Sequence, residues 1–375
     1  MHVVIYSAGF LPSYGGAEQY AYYIGRSLSS HCKVTILTRA MQGEKTIENV
    51  DGMQVIRLRP LFIPFYFFIM NVKDKVSVFH VNLGGYELAL TWPIAKLFRV
   101  PTVLTFHGSQ DSAQNETSKY AMINIQEKMS WFFILKLKWE SIVSVDIYGR
   151  SFLIKKLHNS KKVGFIPLGI DTNRFHSSSD INKFIQTYRD KLVIFCPRRI
   201  DPKSGLQYLF HAITKLKKKY GNVVLLIAGR IEPNYESYLQ YLEKLIADLD
   251  IKANIVFLGN VPHEDMHDLY SLARLVVMPS LAGGRSLAVQ EAMACGKVVI
   301  AMNVGGIPEQ ITSGVNGILI PPRDSDALYQ AMLDLLSNQE LTKQIGERAS
   351  ASIQNSWDSG AMAYLKIYQN ISRNH

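Results

Sequence analysis

Residues 279–309 read PSLAGGRSLAVQEAMACGKVVIAMNVGGIPE and combine a glycine loop, a short helix, a buried strand and a second glycine loop. Gly283 and Gly284 allow a backbone to approach a ligand closely. Ser286 is a suitable N-cap for a helix over residues 287–294, and Gly296 is suited to end that helix. This order is typical of an anion-binding site in an α/β domain.

The predicted helix defines the expected ligand. The backbone amides of Leu287 and Ala288, in its first turn, would face a phosphate group. Glu291 follows one turn later, where its carboxylate can accept two hydrogen bonds from a ribose diol. Lys297–Ala301 then supplies the β-branched run of a buried parallel strand. A nucleotide is therefore the predicted ligand.

Strand-like and helix-like segments alternate along the chain. This spacing predicts parallel, doubly wound sheets, and 375 residues suit two domains. We predict domains over residues 1–178 and 179–357, followed by a last helix over about 358–375. The predicted strands are Val3–Tyr6, Val34–Thr38, Val55–Leu58, Val76–Val81, Thr102–Phe106, Ser141–Val145, Val163–Pro167, Leu192–Cys196, Val223–Ala228, Ile255–Leu258, Leu275–Met278, Val298–Ala301 and Gly317–Ile320.

Composition narrows the cellular setting. The three cysteines are scattered and lack metal-binding spacing, which favours a reducing, cytoplasmic environment. Val3–Tyr6 leads directly into a glycine turn, so no secretory leader is expected. The apolar run Leu61–Met70 contains Pro64 and is too short to span a membrane. Three interpretations of this run stay open: it belongs to the core, it is a loop that faces a membrane, or it forms a subunit contact.

The chain is basic, with a net charge of +10, yet it carries none of the usual nucleic-acid-binding motifs. We therefore expect no nucleic-acid partner. Lysines alternate with large apolar residues over 128–139 and recur at Lys155, Lys156, Lys161 and Lys162. This surface is suited to an anionic membrane leaflet, and the alternative is a buried helix and strand with solvated lysines.

Six segments along the chain carry recognisable motifs: Tyr14–Glu18 (YGGAE), Thr105–Gly108 (TFHG), Ile166–Asp171 (IPLGID), Arg198–Gly205 (RRIDPKSG), residues 279–309 and Ser356–Asp358 (SWD). In this order and spacing, they resemble the retaining glycosyltransferases of the two-Rossmann-domain (GT-B) type, specifically glycosyltransferase family 4, or group 1. The resemblance covers nearly the whole chain and implies two Rossmann-like sheets that face each other across a cleft. It also implies that the last helix packs back on the first domain.

The resemblance assigns roles in the second domain. Arg199 and Lys203 would hold the diphosphate and stabilise it as it leaves, so no metal or other cofactor is implied. Glu291 would bind the ribose, and Gly284 belongs to the loop around the nucleotide. Glu309 would either contact the nucleotide or cap a helix that begins after Pro308.

One position departs from the family pattern. The family has two glutamates separated by seven residues, and the first should stand where this chain has Gly283. By resemblance that glutamate contacts hydroxyls of the donor sugar, so the identity of the sugar stays open. The neighbouring Arg285 would either reach an unusual donor or lie on the surface.

The first domain contributes a second set of residues. Gly15 and Gly16 match the loop that approaches the diphosphate and the acceptor. His107 matches a histidine that faces the reacting sugar in the family, and its place at the end of a strand favours a functional role over a structural one.

The implied reaction is transfer of a sugar from a nucleotide diphosphate sugar to a glycan or lipid-linked acceptor, with retention at the anomeric carbon. The expected context is bacterial surface polysaccharide synthesis, including lipopolysaccharide, by a cytoplasmic enzyme at or near the inner face of the plasma membrane. Two alternatives stay open: a catalytically silent glycan- or lipid-binding relative, and another enzyme on the same architecture, such as a nucleotide-sugar epimerase or a phosphorylase relative.

Overall fold

The computed structural model describes residues 1–12, 15–107, 136–158, 162–177, 184–231 and 235–373. These residues form two compact units. Of the described residues, those up to 107, those over 136–169 and those over 355–373 belong to unit 1, and those over 170–354 belong to unit 2. The predicted boundary between residues 178 and 179 lies within residues 178–183, outside the described part of the chain.

Unit 1 contains an eight-stranded sheet in the order β3-β4-β2-β1-β5-β6-β7-β8. Every neighbouring pair is parallel except β3 and β4. The strands are β1 (His2–Ser7), β2 (Lys33–Arg39), β3 (Ile47–Val50), β4 (Met53–Leu58), β5 (Val78–Leu83), β6 (Thr102–Phe106), β7 (Ser141–Ser144) and β8 (Val163–Phe165). The described helices of this unit are α1 (Gly16–Ser29), α2 (Phe62–Asp74), α3 (Leu88–Leu97), α4 (Ile147–Leu157) and the C-terminal helix Trp357–Arg373.

Unit 2 contains a six-stranded parallel sheet in the order β11-β10-β9-β12-β13-β14. Its strands are β9 (Leu192–Cys196), β10 (Val223–Ala228), β11 (Ile255–Gly259), β12 (Leu275–Met278), β13 (Val299–Met302) and β14 (Ile318–Ile320). Its described α-helices are α5 (Ile185–Tyr188), α6 (Leu206–Lys219), α7 (Glu236–Asp248), α8 (Met266–Leu272), α9 (Leu287–Ala294), α10 (Ser325–Ser337) and α11 (Gln339–Ala351); the C-terminal helix of unit 1 is then α12.

The core of unit 2 lies on both faces of its sheet. Along β9, Ile194 and Cys196 join one apolar cluster, while Val193 and Phe195 join the cluster on the opposite face. Successive strand residues point to opposite faces, so a strand that is covered on both sides is apolar at every position. This explains why these strands are continuous hydrophobic runs.

Each sheet has a point where the chain reverses its direction of strand addition. In unit 1 the chain moves outward from β1 through β2 and then returns to place β5 on the other side of β1. In unit 2 the same reversal occurs between β9 and β12. Ligands of open α/β sheets bind outside the carboxyl ends of the strands at such a point. The loops that follow these strands are therefore the places to look for a site.

The fold class predicted from the sequence, doubly wound parallel α/β sheets, is confirmed. All thirteen predicted strands are present, within a few residues at their ends, and β3 is the strand that the sequence analysis missed. It pairs antiparallel with β4 through a turn in which Asp51 and Gly52 both have positive φ. An Asp-Gly pair is a strong hairpin signal, so this strand could have been found.

Helix α12 packs against α1. Trp357 at its start stacks on Tyr23, with ring centroids 4.9 Å apart. A Cβ on Gly169 would lie 2.5 Å from the backbone nitrogen of Trp357, so only glycine permits this close approach. The IPLGID segment therefore helps to seat the C-terminal helix.

The cysteines, the basic aromatic segment and the apolar helices can also be compared with the sequence analysis. Cys196 and Cys295 are buried, as predicted for small core residues. Trp139 is also buried in unit 1, which favours the core interpretation for that residue, whereas residues 128–135 of the basic aromatic segment lie outside the described part of the chain. Across the described ranges, no helix is both long enough and apolar enough to cross a membrane.

Candidate functional site

The helix predicted to bind a phosphate is present with the predicted bounds, as α9. Ser286 is its N-cap, and the Ser286 hydroxyl accepts a hydrogen bond from the Val289 amide at 3.4 Å. The amides of Leu287 and Ala288 belong to the first turn, so the helix itself provides no acceptor for them. Gly284 lies in the loop that leads to this cap. These two amides are suited to an anion.

The two glycine loops of unit 2 interlock. Gly305 has a φ of +53°, and a Cβ at this position would lie 1.7 Å from the carbonyl oxygen of Gly283. The Gly306 amide donates to the same carbonyl at 3.2 Å. The side-chain amide of Gln310 bonds both backbone groups of Ser286, accepting from its N–H at 2.7 Å and donating to its carbonyl at 2.9 Å. The second loop thereby fixes the cap of α9.

The loop that carries Arg199 and Lys203 is joined to the first glycine loop. The Leu281 amide donates to the Lys203 carbonyl at 2.9 Å. Gly205 has a φ of +68°, and a Cβ there would lie 2.0 Å from the Pro279 carbonyl oxygen. The Arg199 side chain is exposed and that of Lys203 is partly buried. Both cations thus follow β9, on a loop held against the loop that follows β12.

The departure at Gly283 has a backbone basis. Its φ is +147°, a region that residues other than glycine rarely adopt, although a Cβ there would meet no atom within 4 Å.

Arg285 is not a surface residue, because its side chain is mostly buried and its guanidinium lies 3.7 Å from the Glu309 carboxylate. No α-helix begins directly after Pro308, and Glu309 instead ends the three-residue 3-10 turn Ile307–Glu309. The capping role considered for Glu309 is therefore wrong.

Glu291 is not an exposed helix residue, since only 4% of it is accessible to solvent. One carboxylate oxygen lies 2.8 Å from Nε2 of His263, and the other accepts from the Tyr270 hydroxyl at 2.8 Å. Burial, and then the adjacent carboxylate, raises the pKa of Tyr270 well above its usual value, so its hydroxyl stays a donor. The two bonds fix the orientation of the carboxylate and leave lone pairs for a ligand.

A chain of polar contacts extends behind Glu291. Nη1 of Arg174 lies 3.2 Å from Nδ1 of His263. Because arginine is only a donor, Nδ1 accepts and the Nε2–H of His263 donates to Glu291. Asp171 begins the turn that carries Arg174, through bonds from the amides of Asn173 and Arg174. Asp171, the last residue of the IPLGID segment, is thus linked to Glu291 through Arg174 and His263.

In unit 1, the Gly15–Gly16 pair begins α1, with Gly15 as its N-cap. The Glu18 carboxylate lies beneath this loop, because a Cβ on Gly15 would fall 2.3 Å from one of its oxygens. A Cβ on Gly16 would meet nothing within 4 Å. A carboxylate in the first turn also interacts favourably with the helix dipole. The first glycine is therefore needed to accommodate Glu18, and the second is open to solvent or a ligand.

His107 lies at the carboxyl end of β6, where its Nε2 is 3.0 Å from Oδ1 of Asn82. The side-chain amide nitrogen of Asn82 donates to the Ala17 carbonyl at 2.8 Å and to the Ser7 hydroxyl at 3.2 Å. This arrangement orients the Asn82 oxygen toward His107, so Nε2 carries the proton and Nδ1 is the acceptor. Burial lowers the pKa of His107 to about 4, and its imidazole is neutral at pH 7.

A buried hydrogen-bond network lies next to His107, whose ring packs edge-on against Tyr20. The Tyr20 hydroxyl donates to Tyr364, which is 2.6 Å from the Thr105 hydroxyl. Thr105 is 2.7 Å from Nε2 of His80, and Nδ1 of His80 is 2.6 Å from the Tyr368 hydroxyl. These contacts connect α1, β5, β6 and α12 beneath the candidate site.

A partly buried ion pair lies at the neighbouring strand ends. Arg39, the last residue of β2, donates from Nε and Nη2 to the two oxygens of Glu87 at 2.5 and 3.0 Å. Tyr6 near the end of β1 donates to the same carboxylate at 2.9 Å. The ring of Tyr86 lies 5.0 Å from the guanidinium carbon. The polar groups of unit 1 therefore collect where its sheet reverses.

The sequence analysis missed Asn82, Gln310, His263, Tyr270 and Arg174. Asn82 could have been found, because a polar residue near the end of a buried strand points to the ligand-binding edge of a sheet. The other four have no local signal. They act through contacts between residues that are distant in sequence, and those contacts exist only in the folded chain.

Comparison with known proteins agrees with this geometry. A family model described as glycosyl transferases group 1 matches residues 177–352, and one described as glycosyltransferase family 4 matches residues 14–174. The chain belongs to glycosyltransferase family 4. It is thus a glycosyltransferase of a family that uses nucleotide-sugar donors. The family 4 model covers the Gly15–Gly16 loop and His107, and the group 1 model covers the predicted nucleotide-binding residues of unit 2.

Three similar proteins show how far the likeness extends. An uncharacterized glycosyltransferase of Methanocaldococcus jannaschii is 25% identical over 347 residues, 86% of each chain. The GDP-mannose-dependent alpha-(1-6)-phosphatidylinositol monomannoside mannosyltransferase of Mycolicibacterium smegmatis is 28% identical over 215 residues, 55% of each chain. The structure of Anabaena HepE in complex with UDP-glucose has a TM-score of 0.84 at 20% identity, covering 99% of this family 4 chain and 100% of HepE. The last comparison shows the GT-B fold.

Proposed function

We propose that this chain is a retaining, metal-independent hexosyltransferase that moves a sugar from a nucleotide diphosphate sugar to a glycan or lipid-linked acceptor. We further propose that unit 2 binds the donor and unit 1 the acceptor. The observation that carries the donor assignment is the set of interlocked loops around α9. They combine two first-turn amides, a nearby loop with two cations and an oriented carboxylate one turn into the helix.

Each part of the donor has a candidate partner in unit 2. The amides of Leu287 and Ala288, with Gly284 before them, suit the diphosphate. Arg199 and Lys203 suit the same group and gain importance as its charge grows during bond cleavage. The carboxylate of Glu291 suits the ribose diol. Glu309 is ion-paired with Arg285, and we propose that this pair borders the donor sugar where the family has its first glutamate.

In unit 1, we propose that His107 faces the reacting sugar and that Gly15 and Gly16 approach the diphosphate and the acceptor. His107 is neutral at pH 7, since burial lowers the pKa of the imidazole to about 4. Nδ1 is then an acceptor for a sugar hydroxyl. This role is one of positioning, because a group that is neutral across the physiological range adds no charge to the transition state.

The proposed chemistry breaks the bond between the anomeric carbon and the diphosphate and forms the bond to the acceptor oxygen on the same face. The acceptor hydroxyl proton passes to the departing phosphate oxygen. Arg199 and Lys203 stabilise the leaving diphosphate, a task that a metal ion performs in other enzymes. The protein then contributes mainly orientation and charge stabilisation.

The acceptor proposal rests on likeness alone. The similar mannosyltransferase acts on a phosphatidylinositol mannoside, by its name, which supports a lipid-linked acceptor for this chain. Its donor is GDP-mannose, whereas HepE was solved with UDP-glucose, so the donor base has to be measured. We propose bacterial surface polysaccharide synthesis at the inner face of the plasma membrane as the setting. The membrane contact predicted at residues 128–139 stays a prediction, because most of that segment lies outside the described residues.

A thermal-shift screen of the purified chain against UDP, GDP, ADP and their sugar derivatives tests the donor site. A ligand present at a hundred times its Kd adds about 2.7 kcal/mol to the free energy of unfolding, which corresponds to several degrees for a domain of this size. We expect one base to give a selective shift. Lys203→Ala should lose most of it, whereas Lys218→Ala, an exposed lysine on α6 of the same unit, should keep it.

The screen also separates the alternatives. If the chain is folded and no nucleotide raises its melting temperature, the result would point to a silent binding protein. Where a donor is found, the anomeric configuration of the product, read from NMR coupling constants, checks retention. Inversion at the anomeric carbon, or loss of activity on treatment with a chelator, would contradict the proposed reaction.

A further inference from the structure

Helix α2 exposes an apolar face that nothing in the described chain covers. Its inner face, with Ile63, Phe67 and Met70, is buried in the core of unit 1. The outer face carries large apolar side chains at a helical spacing of four, three and four residues. These are Leu61 (82% exposed), Phe65 (63%), Phe68 (39%) and Val72 (62%).

Helix α3 extends this surface. It packs beside α2, with Phe68 against Phe98 at a ring-centroid distance of 5.2 Å. Leu90 and Leu97 on α3 are 60% and 72% exposed. We call the exposed side chains of Leu61, Phe62, Phe65, Phe68, Val72, Leu90 and Leu97 the α2–α3 face. Scattered apolar residues on a surface are ordinary, whereas a contiguous set of this size marks an interaction site.

The charges around the α2–α3 face are positive. Exposed basic residues adjoin it in the sequence at both ends of α2 and at the end of α3, namely Arg59, Lys73, Lys75 and Arg99. Residues 59–99 contain two acidic side chains. Asp74 is ion-paired with Lys33, and Glu87 is buried against Arg39. The rim of this face is therefore basic.

We propose that the α2–α3 face binds the surface of a bilayer that contains anionic lipid. Phenylalanine and leucine would enter the boundary between headgroups and acyl chains, and the basic rim would contact the lipid phosphates. A second copy of the chain fits this face less well. A twofold contact would place the basic rims of two copies together, and Asp74, the exposed carboxylate among these residues, is already paired with Lys33. The inference concerns a different surface from residues 128–139 and does not depend on the transfer reaction.

Co-sedimentation of the full chain with vesicles tests the proposal. We expect binding to vesicles of phosphatidylcholine mixed with phosphatidylglycerol, weaker binding to phosphatidylcholine alone, and a decrease as salt is raised. Phe65→Glu combined with Val72→Glu should lower the partition coefficient at least about tenfold, since two inserted apolar groups are lost and two negative charges are added.

The matched control places the same charge change elsewhere. Leu341 on α11 and Met362 on α12 are exposed apolar residues away from α2 and α3. Leu341→Glu combined with Met362→Glu should stay within about twofold of the unchanged chain. Because Phe65 and Val72 are exposed, the double variant should fold, which far-UV circular dichroism and the nucleotide-induced thermal shift of unit 2 can verify.

Three outcomes would overturn the proposal. The first is that the unchanged chain binds neither kind of vesicle, and the second is that the Phe65 and Val72 variant binds as well as the unchanged chain. The third is that light scattering shows a dimer which dissociates in this variant, because that result would assign the α2–α3 face to a second copy. Each outcome is read without any sugar donor, so it is independent of the test for glycosyl transfer.

Discussion

The contact between His107 and Asn82 shows how a single amide can define the state of a candidate site. Asn82 is held by the Ala17 carbonyl and the Ser7 hydroxyl, and its oxygen therefore faces His107. The imidazole keeps its proton on Nε2 and presents Nδ1 as an acceptor. Asn82 is in this sense a positioning residue for His107.

Replacing Asn82 tests that assignment. Asn82→Asp would place a carboxylate beside Nε2, and an opposite charge at this distance should raise the pKa of His107 from about 4 by roughly 1 to 3 pH units. An NMR titration of labelled histidine measures the change. Ser7→Ala removes the weaker partner of Asn82 and should leave the titration as it is. A proton found on Nδ1 of His107 in the unchanged chain would contradict the assignment.

Gly283 is the residue at which this chain departs from its family. A side chain there must adopt a positive φ, which costs roughly 1 to 3 kcal/mol, but it meets no atom within 4 Å. We expect Gly283→Ala and Gly283→Glu to lower the melting temperature by a similar amount. Donor preference should change only in the glutamate variant, because only it restores the carboxylate. Equal donor preference in both variants would show that the carboxylate has no access to the donor.

At the scale of elements, the donor site depends on loops that follow three neighbouring strands. The loop after β9 bonds the loop after β12 through Lys203 and Leu281, and the loop after β13 bonds it through Gly283 and Gly306. None of these loops is long, and each is fixed by backbone contacts. We therefore expect the site to be largely formed before a ligand binds.

Gly305 gives a direct test of this interlocking. Gly305→Ala would bring a Cβ within 1.7 Å of a backbone carbonyl that cannot move aside easily, in addition to the strain of a φ of +53°. Gly314→Ala carries similar strain, with a φ of +78°, and meets nothing within 4 Å. We expect a loss of about 1 kcal/mol for Gly314→Ala and more than about 3 kcal/mol for Gly305→Ala. Urea unfolding measures both values.

Nucleotide binding should also be affected more by Gly305→Ala than by Gly314→Ala. Gly305→Ala should abolish the nucleotide-induced thermal shift, because it displaces the cap of α9, whereas Gly314→Ala should retain it. A Gly305→Ala variant with normal stability and normal nucleotide binding would mean that the two glycine loops do not depend on each other.

At the scale of the whole molecule, buried histidines make the stability of unit 1 depend on pH. Burial lowers the pKa of His80 to about 3, and that of His2 and His107 to about 4, from an ordinary value of 6.5. Between about pH 6.5 and 4 the unfolded chain therefore binds more protons than the folded chain. The free energy of unfolding must fall as the pH is lowered through this window.

His80 lies deepest, within the hydrogen-bond network of Thr105 and Tyr368. It alone should lower the free energy of unfolding by about 1.4 kcal/mol for each pH unit below 6.5, or about 2 kcal/mol at pH 5. Urea titrations at pH 7 and pH 5 measure the difference. His80→Gln should be less stable at pH 7 and should show a smaller difference between the two pH values. An unchanged difference would place the titrating group elsewhere.

Much of this molecule could be predicted from local sequence. Buried parallel strands appear as continuous apolar runs, so the fold class and thirteen strands could be assigned directly. The bounds of α9 followed from Ser286 and Gly296, since capping and helix termination depend on neighbouring residues. Family resemblance added expected roles for residues such as Glu291 and His107, and those roles stay predictions.

Other features depend on contacts between distant residues. Asn82 meets His107 because parallel strands end at one edge of a sheet. Arg174 meets His263 because two segments 89 residues apart in the sequence pack together. The apolar run Leu61–Met70 is half core and half surface, a division that depends on which face of α2 meets unit 1. Local sequence sets the conformation of a segment, because capping and strand patterns act over a few residues. Its partners are set by packing, because the groups that orient Glu291 and cover one face of α2 come from distant parts of the chain.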